Sequence, residues 1–214
     1  MAFLNQRITP FLLTTTAFVV VALVVILAEE KTAIHLSMNS VHSNWADNFF
    51  KYGTEFGNGI TCVAIVGLVA VWHRRNVLPV LIFGIASYAI AGLLVQALKR
   101  FVFEDALRPI RLIAPEKLHL VEGVQLHEYF TFPSGHSATT AVIVTFLALV
   151  SKRSTGLQIT LALVGITGAF SRVYISQHFL VDSLAGLVIG VLITLMIYTL
   201  MKKYTFKRFF KSEA

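Results

Sequence analysis

Cysteine is nearly absent from this 214-residue chain. The single one, Cys62, lies in an apolar run, so no internal disulfide can form and nothing about redox compartment follows. Charged residues are also scarce, at 14% against about 25% in a soluble domain. With hydrophobic residues at 56% and a mean hydropathy of +0.75, that scarcity points to the lipid bilayer. No C-x-x-C pair, no H-E-x-x-H and no acidic cluster of metal-ligand type occurs, which leaves a metal site or other cofactor without sequence support. No repeat or low-complexity linker divides the chain, so one membrane-embedded domain over residues 1–214 is expected.

What the chain does contain is a series of long apolar runs. Six can be read, over residues 9–28, 56–72, 77–98, 136–150, 156–171 and 179–201. They predict an all-α, polytopic membrane protein, a six-transmembrane-helix bundle with short interfacial helices in the outside loops. Thr9 is placed to cap the first helix, with Pro10 in its first turn. That run of about 20 residues exceeds the roughly 7–15 of a signal-peptide core. The fourth and fifth runs are short for a hydrocarbon core about 30 Å thick and are expected to extend into their flanks. Gly84, Gly92, Gly165, Gly168, Gly186 and Gly190 suit close helix contact. Trp45, Phe49, Tyr52 and Phe56 recur at helical spacing in the first outside loop, as in an amphipathic helix at headgroup depth.

The net charge of +7 would suggest nucleic acid until the charges are placed. Arg7, Arg74, Arg75, Lys152, Arg153 and the tail cations Lys202, Lys203, Lys207, Arg208 and Lys211 flank apolar runs in short segments that all fall on one side, the inside if the N-terminus is cytoplasmic. Such a pattern fits lipid headgroups and topology. It predicts cytoplasmic termini and chemistry on the opposite face of the membrane. Ten of the eleven acids fall on that outer side, all but Glu213. His35, His42 and His73 are expected at the interface, and His119 and His127 on the surface of a long loop.

Three polar segments converge on the outer face by topology alone, since every odd-to-even crossing lands there. The first is Lys99-Arg100-Phe101-Val102-Phe103-Glu104-Asp105-Ala106-Leu107-Arg108-Pro109, the second Pro133-Ser134-Gly135-His136. The third runs from Ser171-Arg172 to His178 and Asp182. Arg108 and Arg172 can present planar forks to phosphate oxygens, and Lys99 a point charge. Ser134 with the N–H groups of Gly135 and His136 forms a helix start, which favours an anion, and Gly135 lets the backbone approach closely. His178 can attack phosphorus and His136 can protonate the leaving oxygen. Asp182, four residues after His178, would share its helical face and orient it.

Ser171-Arg172-x5-His178-x3-Asp182 and Pro133-Ser134-Gly135-His136 resemble two of the three motifs of the type-2 phosphatidic acid phosphatase superfamily. Membrane lipid phosphatases and vanadium haloperoxidases belong to it. The resemblance covers about residues 99–182 and implies a helical fold, metal-independent catalysis, a nucleophilic His178 and a general acid in His136. The first motif departs from the pattern, with eight residues between Lys99 and Arg108 where six are usual. The surplus is expected as a bulge or altered turn near residues 103–106, with Lys99 rather than Arg100 on the phosphate.

The expected partner is a phosphorylated membrane lipid: undecaprenyl diphosphate, phosphatidylglycerophosphate, phosphatidic acid or a lipid A phosphate. No nucleic-acid partner is expected, and oligomeric state is not legible. A lipid phosphotransferase would use the same residues. A transporter or non-catalytic lipid-binding protein fits less well, since transporters place polar groups near the bilayer midplane and these cluster at one membrane edge.

Overall fold

The computed structural model describes residues 2–151 and 154–204. Lys152, Arg153, Lys207, Arg208 and Lys211, which carry part of the orientation argument, lie outside the described residues. All regular structure among the described residues is helical. The α-helices are α1 (Ala2–Ala28), α2 (Lys31–Asn39), α3 (Asn44–Gly53), α4 (Gly59–Trp72), α5 (Val77–Phe101), α6 (Pro109–Leu112), α7 (Gly135–Val150), α8 (Thr155–Tyr174) and α9 (Leu180–Tyr204). Short 3₁₀ turns occupy Thr54–Gly57 and Pro115–Lys117.

Each of the six apolar runs becomes a helix. Segments Ile8–Ala28, Val77–Phe101, Thr155–Tyr174 and Leu180–Lys203 are long and apolar enough to cross a membrane. A fifth is reached if α4 and the segment Asn44–Gly57, bent by 64° between them, form one broken span. The bend has a local cause. Asn58 is extended and its side chain accepts from the Ile60 N–H, so a new helix starts there. The exposed faces of α1, α4 and α5 carry Val21, Leu27, Leu68, Trp72 and Leu93, as lipid-facing helices would.

Two expectations about helix ends need correction. Thr9 does not cap the first helix, which begins at Ala2 and runs through Pro10. The fifth run extends as expected to Thr155–Tyr174, but the fourth gains only Gly135. At about 1.5 Å per residue α7 is therefore only about 24 Å long. It is nevertheless the bundle's centre, packed on α5, α8 and α9 and buried from Ser137 to Leu149 almost without a break. A helix enclosed by protein does not need to match the lipid thickness.

Close packing on α7 rests on small residues. A Cβ at Gly186 or Gly190 of α9 would overlap the Ser134 or Ala138 carbonyl, and one at Gly165 of α8 would crowd Val144. Gly92 is the exception: a Cβ there would meet nothing within 4 Å, because the position lines a groove and not a contact. The first outside loop also holds α2, which its sequence did not announce. α2 buries Ile34, His35 and Asn39, so His35, at 0% exposure, is a core residue and not an interfacial one. α3 keeps Trp45, Phe49 and Tyr52 exposed, and Phe56 sits in the following 3₁₀ turn, packed against the core.

Candidate active site

The end of α8 and the start of α9 are joined by five residues, 175–179, folded tightly on Arg172. The Arg172 carbonyl accepts from both the Gln177 and His178 N–H groups, at 3.0 and 3.1 Å. Ser176 takes a left-handed backbone, φ 54°, to make that turn. Its hydroxyl is held by His35 Nε2 at 3.1 Å and by Asn39 Nδ2, which donates at 3.2 Å. The helix that the sequence did not announce thus secures the loop carrying His178. Burial pushes the His35 imidazole down to about 4, so it serves there as a neutral group.

The three expected cations come together around this loop. Arg108, ahead of α6, donates from Nε to the Tyr129 carbonyl at 2.8 Å and from Nη1 to the Gln177 side-chain oxygen at 2.7 Å. Lys99 on α5 is buried and donates to the Phe130 carbonyl at 2.6 Å, whereas Arg100 points outward. The surplus residues of the first segment form an altered turn, with Phe103 N–H reaching back to the Leu98 carbonyl and Ala106 N–H to that of Phe103. Arg172 donates from Nη1 to Thr54 Oγ1 at 2.9 Å, and its buried Nε has no partner among the described residues. Such an orphaned donor is costly unless a ligand oxygen completes it.

His178 is 2% exposed. Burial, reinforced by the positive charges of Arg108, Arg172 and Lys99, holds its imidazole well below the usual histidine range. It is therefore neutral near pH 7, the state a nucleophile needs. The expected shared helical face with Asp182 is corrected by the structure. His178 lies in the loop before α9, and its Nδ1 is 3.6 Å from Asp182 Oδ2, beyond hydrogen-bond length. Thr131 stands between them: its hydroxyl donates to Asp182 Oδ2 at 2.5 Å and lies 3.1 Å from His178 Nδ1. The Phe179 N–H donates to the same Asp182 oxygen at 2.8 Å.

Asp182 also binds the second motif to the third, since its carbonyl accepts from the Ser134 N–H at 2.9 Å. Ser134 is fully buried, and its hydroxyl accepts from the N–H and the hydroxyl of Ser137, which makes it the N-cap of α7. The Gly135 position is open: a Cβ would meet only Val95, at 3.8 Å. His136 faces two cavities. One, of about 370 Å³, is lined by Lys51, Thr54, His127, His136, Arg172 and Gln177. The other, of about 540 Å³, runs between α4, α5 and α7 past Tyr88, Gly92, Leu93 and Val95.

Several of these groups escape a reading of residue types. Thr131 lies two residues ahead of the Pro-Ser-Gly-His cluster and Gln177 directly before His178, and that proximity is the one signal either offers. Tyr129 and Phe130 act through backbone carbonyls, which no side chain advertises. His127 is exposed in its loop yet lines the cavity with His136 and Arg172. Burial and then the charges of Arg108, Arg172 and Lys99 push its imidazole down. Of the loop acids, Glu128 pairs with Arg111 at 3.6 Å and not with a site arginine.

Two solved structures share this arrangement of helices. LpxE of Aquifex aeolicus is 23% identical, with a TM-score of 0.65 over 78% of this chain and 93% of its own. A transmembrane PAP2-type phosphatidylglycerolphosphate phosphatase of Bacillus subtilis is 22% identical, with a TM-score of 0.64 over 96% of this chain and 99% of its own. At such identities the likeness is one of fold. No curated protein sequence matches the chain significantly. The PAP2 superfamily model matches residues 80–206, more than half the chain and a span that takes in all three polar segments. The chain belongs to the PAP2 superfamily.

Proposed function

We propose that this protein is an integral membrane phosphatase that removes phosphate from a lipid monoester or diphosphate through a phosphohistidine. The observation that carries the reading is a buried His178, held at Nδ1 by Thr131, on a loop folded over Arg172 and bonded through Gln177 to Arg108. Its Nδ1 is already engaged, so Nε2 is left to react. In this reading Lys99, Arg108, the free Nε of Arg172 and the N–H groups of Gly135 and His136 hold the phosphate oxygens, with Ser134 fixing the helix start. His178 Nε2 attacks phosphorus while the bond to the lipid oxygen breaks, and His136 passes a proton to that oxygen. Water then attacks the phosphohistidine, His136 takes a proton from it, the P–N bond breaks and inorganic phosphate leaves.

The position of His136 between the two cavities suits a membrane-borne substrate. The 370 Å³ cavity, with Lys51, Gln125 and His127, would take the headgroup, and the groove past Leu93 and Val95 the start of the hydrocarbon. Phosphatidylglycerophosphate, phosphatidic acid, undecaprenyl diphosphate and lipid A phosphates all have that form. The B. subtilis fold relative, named for the first of these, supports including it. The topology proposed with this activity has six spans, α3 at the interface, cytoplasmic termini and a periplasmic site in the inner membrane.

Phosphate release by the purified chain in detergent, across that lipid panel and with or without chelator, tests the reading. Release with chelator present, and a phosphoenzyme that forms with wild type but not with His178→Ala, is expected. Activity lost in chelator and restored by one particular divalent ion would overturn metal independence. Release undiminished in His178→Ala would overturn the mechanism.

A further inference from the structure

We infer that Thr131 is a positioning residue whose hydroxyl relays the Asp182 carboxylate to His178 Nδ1, holding the imidazole in the tautomer that leaves Nε2 free to attack phosphorus. The inference rests on the phosphohistidine reading above and adds a residue to it. The argument is one of hydrogen counting. A threonine hydroxyl has one hydrogen and two lone pairs. Its hydrogen goes to Asp182 Oδ2, and the Phe179 N–H donates to that same oxygen, so Oδ2 acts as an acceptor. Toward His178 the hydroxyl can then only accept. The proton must therefore reside on Nδ1, and the lone pair on Nε2.

The carboxylate cannot do this alone. At 3.6 Å it lies too far from Nδ1 for a hydrogen bond, and the hydroxyl, 2.5 Å from the carboxylate oxygen and 3.1 Å from Nδ1, bridges the two from the side. Thr131 is in turn well fixed. It is 3% exposed, its N–H donates to the Ala106 carbonyl at 3.0 Å, and the preceding Phe130 carbonyl takes the Lys99 ammonium. As a β-branched residue it has few χ1 choices, so a pinned backbone also pins the hydroxyl. With the hydroxyl gone, Nδ1–H would be left with only the Asp182 carboxylate at 3.6 Å, beyond hydrogen-bond length, and the tautomer with its proton on Nε2, which cannot attack, would be less disfavoured.

The test uses the full-length protein in detergent with dioctanoyl phosphatidic acid and para-nitrophenyl phosphate. Thr131→Val keeps shape and removes the hydroxyl, and Thr131→Ala serves where valine disturbs the bundle, judged by melting temperature. Phosphoenzyme formation should slow by roughly 10- to 100-fold with KM within about 3-fold, less than the about 10⁴-fold that follows loss of an orienting triad carboxylate. Thr131→Ser should restore the rate to within about 3-fold. In an Asp182→Asn background, Thr131→Val should add less than about 3-fold, because the relay is already broken; a merely structural role would add its full penalty. Serine as poor as valine, or a fully additive double variant, would overturn the inference. So would Thr131→Val at the parent rate while His178→Ala is inactive, and that result would leave the phosphohistidine reading standing. Activity in His178→Ala, or none in the parent on either substrate, would instead remove the reading on which the inference rests.

Discussion

Two loops at the same end of the bundle build the site in opposite ways. Residues 175–179 form a tight crossing in which the side chain of His178 is the proposed working part, and the Arg172 carbonyl and the His35–Ser176 contact hold the turn that carries it. Residues 102–134 form a long, mostly irregular crossing that brings the side chains of Arg108 and Thr131 and otherwise contributes through its backbone. The Tyr129 and Phe130 carbonyls direct Arg108 and Lys99, and the Ala106 carbonyl holds Thr131. The short loop announces its chemistry through residue types and the long one conceals it, because a carbonyl is present at every position. Substitutions should therefore be severe in the first and selective in the second.

The largest effect is expected at the two histidines. His178→Ala should form no phosphoenzyme on any substrate. His136→Ala should lose about 10²–10⁴-fold on lipid phosphates, the usual loss for a general acid. It should recover much of its rate on para-nitrophenyl phosphate, whose leaving group needs no proton. Recovery by His178→Ala and not by His136→Ala would reverse the two roles.

Arg108 tests whether the long crossing supplies a fork or merely a charge. Arg108→Lys keeps the charge but cannot reach the Tyr129 carbonyl, Gln177 and a phosphate oxygen together. A rise in KM of about 10- to 100-fold is expected, the worth of a charge-assisted hydrogen bond of about 1.5–3 kcal/mol. Steady-state kinetics with unchanged KM would show that only the charge matters.

His35 tests the support of the short loop. Its folded-state value of about 4 lies below the 6.5 of an exposed histidine. As pH falls from 6.5 towards 4 the unfolded chain takes up a proton that the folded one refuses, so stability is lost across that window, by up to about 3 kcal/mol. Above 6.5 the group contributes no pH dependence. Melting temperatures of the parent and His35→Gln at pH 7.5 and 5 should show a smaller acid loss in the variant; equal losses would place the histidine in a wetter setting.

The smallest effect sharpens the contrast most. Tyr129→Ala removes a half-exposed ring that lies over Arg111 and leaves the carbonyl that holds Arg108. Activity within about 3-fold of the parent is expected, as for a surface substitution. A large loss would mean that the side chain, and not the backbone, is what this crossing contributes.

The residues of the candidate site are legible to the extent that the proposed role of each is carried by its side chain. Lys99, Arg108, His136, Arg172, His178 and Asp182 could be singled out because cations, imidazoles and a carboxylate rarely gather at one membrane edge without cause. The choice of Lys99 over Arg100 also agrees with its burial against Phe130. Thr131 was not legible: a hydroxyl three residues before a helix N-cap reads as turn chemistry. The shared helical face of His178 and Asp182 does not form, because the spacing of four assumes a helix through both residues and α9 begins only at Leu180. α2 was missed since nine residues with few apolar positions carry little periodic signal.

By itself, then, the sequence determined that the chain is helical and apolar and that its polar chemistry gathers at one end. Those outcomes follow from the length and spacing of apolar runs, which act through local backbone satisfaction and bulk hydrophobicity. The tertiary structure alone decided which donors meet which acceptors: that Thr131 stands between His178 and Asp182, that His35 and Asn39 of α2 hold Ser176, and that Arg172 keeps an unpartnered Nε. Hydrogen bonds depend on distances of a few tenths of an ångström between groups far apart in the chain, and no local pattern encodes them.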